Sequence, residues 1–109
     1  MATFSDFEKL DIRTGTIVDA QEFPEARNPA FRLWIDFGPL GIKKSSAQIT
    51  KLYSTEELKG KQIIAVVNFP PRQIATFISE VLVLGVYGNE KEVILLQADR
   101  VVENGSRIG

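Results

Sequence analysis

The sequence contains no cysteine and no histidine. Without thiols there are no disulfides, no thiolate metal sites and no cysteine nucleophile. Without imidazole the commonest general base and the commonest metal ligand are both missing, which excludes a Ser-His-Asp triad and ordinary zinc chemistry. Long apolar runs are missing as well. The longest, Ile63-Ile64-Ala65-Val66-Val67, is far short of the roughly 20 residues of a membrane helix. The opening Met1-Ala2-Thr3-Phe4-Ser5-Asp6 has neither the basic start nor the apolar stretch of a secretory signal. The expectation is a cytoplasmic chain with no membrane insertion, no cofactor and no metal.

What is present suffices for one core. A chain of 109 residues, 44% of them apolar, is expected to form a single domain over residues 1–109. Net charge is only −1, but it is unevenly spread: residues 1–26 carry −4, residues 27–73 carry +5 and residues 74–109 carry −2. A basic middle between acidic flanks is the asymmetry expected when one face meets an anion.

Local patterns give the element order. Ser5-Asp6-Phe7-Glu8 has the spacing of a capping box and predicts a short helix carrying Phe7 and Leu10 toward the core. Ile12 to Ala20 reads as a strand, with Gly15 predicting a bulge or bend. Pro24 to Pro29 is a loop. In Phe31 to Phe37 the residues Phe31, Leu33, Ile35 and Phe37 point one way, and Arg32, Trp34 and Asp36 the other. Gly38 to Gly41 turns the chain into a more polar strand, Ile42 to Ile49. Ser54-Thr55-Glu56-Glu57 opens a helix that Gly60 ends. Lys61 to Phe69, Val81 to Val86 and Val93 to Leu96 are apolar strands, with turns at Gly88-Asn89 and Asn104-Gly105. Three strands, a short helix and further strands match an all-β OB-fold, a five-stranded Greek-key barrel, here with an N-terminal helix and a C-terminal extension. An SH3-like barrel or a small sandwich shares the strand spacing; the placed helix favours OB.

Several motifs have plain readings. Lys43-Lys44-Ser45-Ser46 lacks the glycine before Lys-Ser and the following helix of a phosphate loop. Asp11, Asp19, Asp36 and Glu80 would be paired carboxylates only if the fold brought two into one cleft. No catalytic role is predicted. Trp34, on the polar face beside Arg32, is a stacking platform, a barrel cap or an interface residue. Phe69-Pro70-Pro71 with Phe77 makes a stiff apolar ridge beside Arg72. The tail residues Val93, Leu95, Val101, Val102 and Ile108 must be buried, against a twofold partner or on the chain's own barrel.

One stretch is more specific. Asn68-Phe69-Pro70-Pro71-Arg72-Gln73-Ile74, followed by Ser79-Glu80-Val81-Leu82, resembles the tRNA-binding domain found free-standing and appended to some aminoacyl-tRNA synthetases. Leu10 to Val18 looks like that domain's first strand. A more specific likeness is to the secretion-associated chaperone family CsaA, carried by Ser45-Ser46-Ala47-Gln48-Ile49-Thr50, Val67 to Arg72 and Ser79 to Gly85. The resemblance implies an OB fold, a homodimer and binding of tRNA. In the CsaA branch it also implies holding unfolded preproteins for the export ATPase SecA. The wider family often has a basic residue where Pro70 stands, Gly at Thr76, Met at Leu82, and His-Pro near Phe23-Pro24. These departures imply weaker RNA contacts and a more apolar surface.

Two sets of site residues follow. For RNA, Arg32, Lys43, Lys44, Lys51 and Arg72 would contact phosphates, and Ser46, Gln48, Asn68 and Ser79 would supply neutral hydrogen bonds. For unfolded polypeptide, Phe69, Pro70, Pro71, Ile74, Phe77 and Ile78 would line an apolar groove with Arg72 at its rim.

Overall fold

The computed structural model describes residues 1–109. In chain order the elements are α1 (Phe4–Glu8), β1 (Ile12–Glu22), β2 (Phe31–Asp36), β3 (Ile42–Ala47), α2 (Thr55–Leu58), β4 (Gln62–Val66), β5 (Arg72–Ile74), β6 (Phe77–Ser79), β7 (Leu82–Val83), β8 (Gly85–Tyr87) and β9 (Val93–Leu95). β1 is long enough to serve two neighbours. Its first half pairs with β4 and its second with β2, and Thr16 lies opposite both Gln62 and Asp36. The antiparallel order is β3-β2-β1-β4-β7. This sheet curls until β3 meets the chain just before β7. There the amides of Glu80 and Val81 donate to the Lys44 carbonyl at 2.8 and 3.3 Å, and Ser45 Oγ donates to the Val81 carbonyl at 3.0 Å. The result is a nearly closed five-stranded OB-type barrel, with α2 between its third and fourth strands as the sequence predicts.

Alternation decides the core. Phe31, Leu33, Ile35 and Phe37 are all buried inside the barrel with Ile17, Ile63, Ala65 and Leu58. Gly15 faces the same interior but is not the bulge: the register shift falls between Ile17 and Asp19. A β-carbon on Gly15 would stand 2.7 Å from Ile35 Cγ2 and from the Phe37 ring. Glycine here makes room for Phe37. Gly15→Ala should therefore destabilise by about 1–3 kcal/mol through overpacking, read from denaturant midpoints; an unchanged midpoint would contradict this packing.

Three expectations need correction. The capping box at the start is formed by Thr3 and Asp6, not Ser5 and Glu8. The helix ends at Glu8, within two turns, and leaves Phe7 exposed and Leu10 only half-buried rather than in the core. Second, the apolar run Val81 to Val86 divides at Leu84, whose amide still bonds the Ile64 carbonyl while its carbonyl accepts from Leu96. Beyond it the chain leaves β4, so β8 pairs with β9 instead. Third, Arg72 to Ser79 contains an unpredicted hairpin, described below.

The end of the tail folds back. Residues 105–108 run along the edge of β1 that β2 leaves free, with Gly105 N to Thr14 O at 2.7 Å, Thr14 N to Ser106 O at 2.9 Å and Ile108 N to Ile12 O at 2.8 Å. Arg13 adds a side-chain clasp, donating Nη1 to Gly105 O at 2.9 Å and Nε to Asp11 Oδ1 at 2.6 Å. Val101 and Val102 stay exposed.

That clasp contributes to the acid limb of stability. The hydrogen bond from Arg13 holds the Asp11 carboxyl below the 3.8 of a free aspartate. A depressed folded-state value adds stability that is present above the unfolded-state value and is lost as pH falls through the folded one. Asp19, bonded by Gln21, moves in the same direction. Stability should thus be flat between about pH 5 and 8, with no histidine to titrate, and fall below about pH 4. Arg13→Gln should flatten the acid limb in a pH series of denaturation midpoints; an unaltered limb would assign it to other groups.

Candidate nucleic-acid interface

Strand alternation puts Arg32 and Trp34 on the outer face of β2, directly across from Ser46 and Lys44 of β3. On this face lies the β5–β6 hairpin. Its register pairs Arg72 with Ser79 and Ile74 with Phe77, around a two-residue loop in which Ala75 takes φ 53. That left-handed conformation is costly for a side chain with a β-carbon. Packing beneath the hairpin holds it. Phe77 is buried, edge-on to Phe23 at 5.6 Å and to Trp34 at 5.7 Å. Phe23 and Ala30 come from the β1–β2 loop, so this small cluster, joined by Ala26 and Ile74, clamps loop and hairpin together over β2–β3. Trp34 is accordingly a cap over an apolar cluster and not a free stacking platform.

The clamp also fixes cations. The Arg32 guanidinium sits over the Phe23 ring at 5.5 Å and donates Nε to the Glu22 carbonyl at 3.0 Å. Lys44 Nζ lies over the Phe77 ring at 5.1 Å. Ring faces and carbonyls orient a cation without supplying a counter-charge. The four ion pairs of the molecule are Lys9–Asp6, Arg13–Asp11, Lys59–Asp19 and Arg100–Asp99. None involves Arg27, Arg32, Lys44 or Arg72. A face whose cations are held in place and not paired with carboxylates is built to receive an anion.

The RNA set of residues divides. Arg32, Lys44, Ser46, Arg72 and Ser79 come together, Ser79 Oγ accepting from the Ser46 amide at 3.0 Å. Gln48 is exposed just past β3. Lys43 lies in register with Ile35, on the opposite side of β3 from Lys44. Lys51 reaches away, donating Nζ to the Glu90 carbonyl at 3.3 Å. Asn68 is engaged at both ends of its amide: Oδ1 accepts from Asp11 N at 2.9 Å and Nδ2 donates to Lys9 O at 2.8 Å. Its work is to staple the end of β4 to the start of β1.

The peptide set divides too. Phe69, Pro70 and Ile74 line a cleft of about 200 Å³ with Arg72, Ser46, Ser79, Glu80, Val81 and Leu82. Pro71 is exposed outside this lining, and Ile78, next along the strand from Phe77, is exposed on the hairpin's other side. Phe77 is not a groove residue but the hairpin's buried anchor, a role that needs the tertiary fold to be seen. Phe23 and Leu82 have no local signal for the same reason: only folding brings the β1–β2 loop and β7 to this face. The four acids named from the sequence stay apart, each with its own partner, Asp11 on Arg13, Asp19 on Lys59, Asp36 on the Gly38 amide and Glu80 on the Lys44 amide.

Comparison with known proteins decides the family. A domain family described as "Putative tRNA binding domain" matches residues 12–107. The chain belongs to the tRNA-binding domain family. This is a family of binding domains, not a catalytic one. Members of similar sequence include the methionine–tRNA ligase of Bdellovibrio bacteriovorus, 33% identical over 105 residues, 96% of this chain and 15% of that enzyme. The chain thus spans about 15% of the length of the curated relatives it matches. Among solved structures it is similar to the chaperone CsaA of Bacillus anthracis, at 58% identity and a TM-score of 0.95, covering 100% of this chain and 99% of that one. The CsaA chaperone protein of Picrophilus torridus follows at 54% identity and 0.94, with all of both chains covered. The CsaA resemblance and the OB-type barrel read from the sequence both hold over the full chain. No helix is long and apolar enough to cross a membrane.

Proposed function

We propose that residues 1–109 act as one non-catalytic, cytoplasmic RNA-binding unit that takes structured tRNA on the outer face of β2–β3. The observation that carries this is the set of cations on one face, Arg32 and Lys44 held over aromatic rings and Arg72 on the adjoining hairpin, none of them paired with a carboxylate. The β2–β3 face and its flanking loops are where OB folds take oligonucleotides. Phosphates engage the cations, and Ser46 and Ser79 contact backbone or 2′-hydroxyl groups. The test is tRNA binding at two salt concentrations, with an unfolded preprotein as competitor. Steeply salt-sensitive binding that the preprotein leaves untouched supports the reading. Salt-insensitive binding, or none, rejects it.

A second reading rests on the apolar wall of Phe69, Pro70 and Ile74 and on the chaperones among the similar structures. Here the cleft holds segments of unfolded preproteins, and delivery to SecA follows from it. Such binding would survive high salt. Both readings are compatible with a homodimer. Phe4 and Phe7 on α1 and the opposed pair Val86 and Ile94 on the β8–β9 ribbon are exposed apolar surface of the kind a second copy covers. Light scattering should give twice the chain's mass, and Val86→Asp with Ile94→Asp should halve it. A wild-type chain already monomeric at working concentration would remove the proposal.

A further inference from the structure

The cleft beside the β5–β6 hairpin holds a group that phosphate binding does not use. Glu80 projects a carboxylate into the cleft's lining, next to an otherwise cationic face. Its Oε1 accepts from the Lys44 amide at 3.0 Å, which fixes the side chain, while Oε2 has no partner in the chain. Two hydroxyls flank it. Ser79 Oγ accepts from the Ser46 amide, leaving its own hydrogen free to donate, and Ser46 Oγ is unengaged. The apolar part of the lining comes from Phe69, Pro70, Ile74, Val81 and Leu82, and Arg72 stands in the lining with no carboxylate partner of its own.

A carboxylate among phosphate-binding cations repels the ligand's backbone unless something in the ligand donates to it. Nucleobases supply such donors: the exocyclic amino groups of adenine, cytosine and guanine, whereas uracil has carbonyls at those positions and only its ring N3–H, flanked by both carbonyl oxygens that repel a carboxylate, to donate. An aromatic wall suits the face of a base, a carboxylate its amino edge, and an arginine the adjoining phosphate. A cleft of about 200 Å³ has room for one base and not for a pair.

Resting on the RNA-binding reading above, we propose that this cleft receives a single unpaired nucleotide with an exocyclic amino group. Glu80 reads the amine, Phe69 stacks on the base and Arg72 meets its phosphate. The site therefore recognises an unpaired end or loop of the RNA, and discriminates against uridine there.

The test uses labelled single-stranded hexamers of adenylate, cytidylate and uridylate, alongside whole tRNA, at one low salt concentration. Wild-type protein should bind the adenylate and cytidylate hexamers about tenfold more tightly than the uridylate one, as expected for one charge-assisted hydrogen bond. Glu80→Gln retains an oxygen for the Lys44 amide and turns an NH₂ group into the cleft, so the preference should vanish or reverse toward uridylate. Phe69→Ala, at an exposed position that spares the fold, should weaken all hexamers about tenfold by removing the stacking surface. Equal affinity for the three hexamers, or a preference that Glu80→Gln leaves unchanged, overturns the inference while tRNA binding keeps the broader reading intact. Occupation of the cleft by an unfolded polypeptide that excludes every hexamer overturns it as well. Loss of wild-type tRNA binding overturns both.

Discussion

Neutralising Lys44 and Arg72 together, as K44Q/R72Q, should lower tRNA affinity by about one to two decades near 0.1 M salt. Each phosphate contact contributes a salt slope of about 0.7–0.9, which at this concentration is close to 0.8 of a decade of affinity. The double variant should also make the slope shallower by about 1.4–1.8, because two contacts are gone. Both side chains are replaced by polar ones that keep most of their stems, and neither forms an ion pair, so folding should change little. Affinity measured across a salt series checks the two effects together. An unchanged slope would mean that these cations do not touch phosphate, whatever happens to the affinity itself.

Phe77→Ala should have a large effect on both stability and RNA affinity, although it alters no charge. The ring is buried against Phe23 and Trp34 and carries Lys44 Nζ above it, so its removal opens a cavity under the hairpin. A loss of about 3 kcal/mol is expected, at the lower end of the range for phenylalanine truncation because the cluster lies outside the main core. Ala75 sits at φ 53, and the hairpin has little besides this cluster to keep it there. Amide exchange should therefore accelerate first over residues 72–79, before the barrel strands. Since Arg72 travels with the hairpin, tRNA affinity should fall with it. Unchanged RNA affinity in a folded Phe77→Ala variant would place the hairpin outside the site. The buried position also alters how a charged residue at 77 would read. Lost peptide binding would then report an opened hairpin and could not identify a groove.

Much of the barrel was legible because period-2 alternation is a local signal. Phe31, Leu33, Ile35 and Phe37 could be assigned to the core from spacing alone, and the Ser54 capping box marked α2 at its true start. The first helix was misplaced because two overlapping cap patterns, Thr3 with Asp6 and Ser5 with Glu8, differ only in which helix the rest of the fold tolerates. Gly15 showed that something unusual happens in β1, but a glycine cannot say whether it permits a bulge or vacates space. The Phe37 ring answers that, 22 positions away in the chain.

The candidate site was legible in kind and not in membership. Charge asymmetry and the Asn68-to-Leu82 stretch pointed to segments that the fold brings together over β2–β3. They could not separate Lys44 from Lys43, which face opposite sides of one strand, nor Asn68 the staple from Ser46 beside the cleft.

By itself, then, the sequence determined the chemistry available. It excluded imidazole and thiol chemistry, set alternating apolar strands around one core, and placed the positive charge in the middle of the chain. Tertiary structure alone decided which of those charges act together. Burial, cation–ring contacts and side-chain partners arise between residues distant in sequence, as when Phe23, Trp34 and Phe77 meet beneath Arg32 and Lys44. No local pattern encodes that meeting, because it depends on how far the sheet curls before β3 reaches Ser79, Glu80 and Val81.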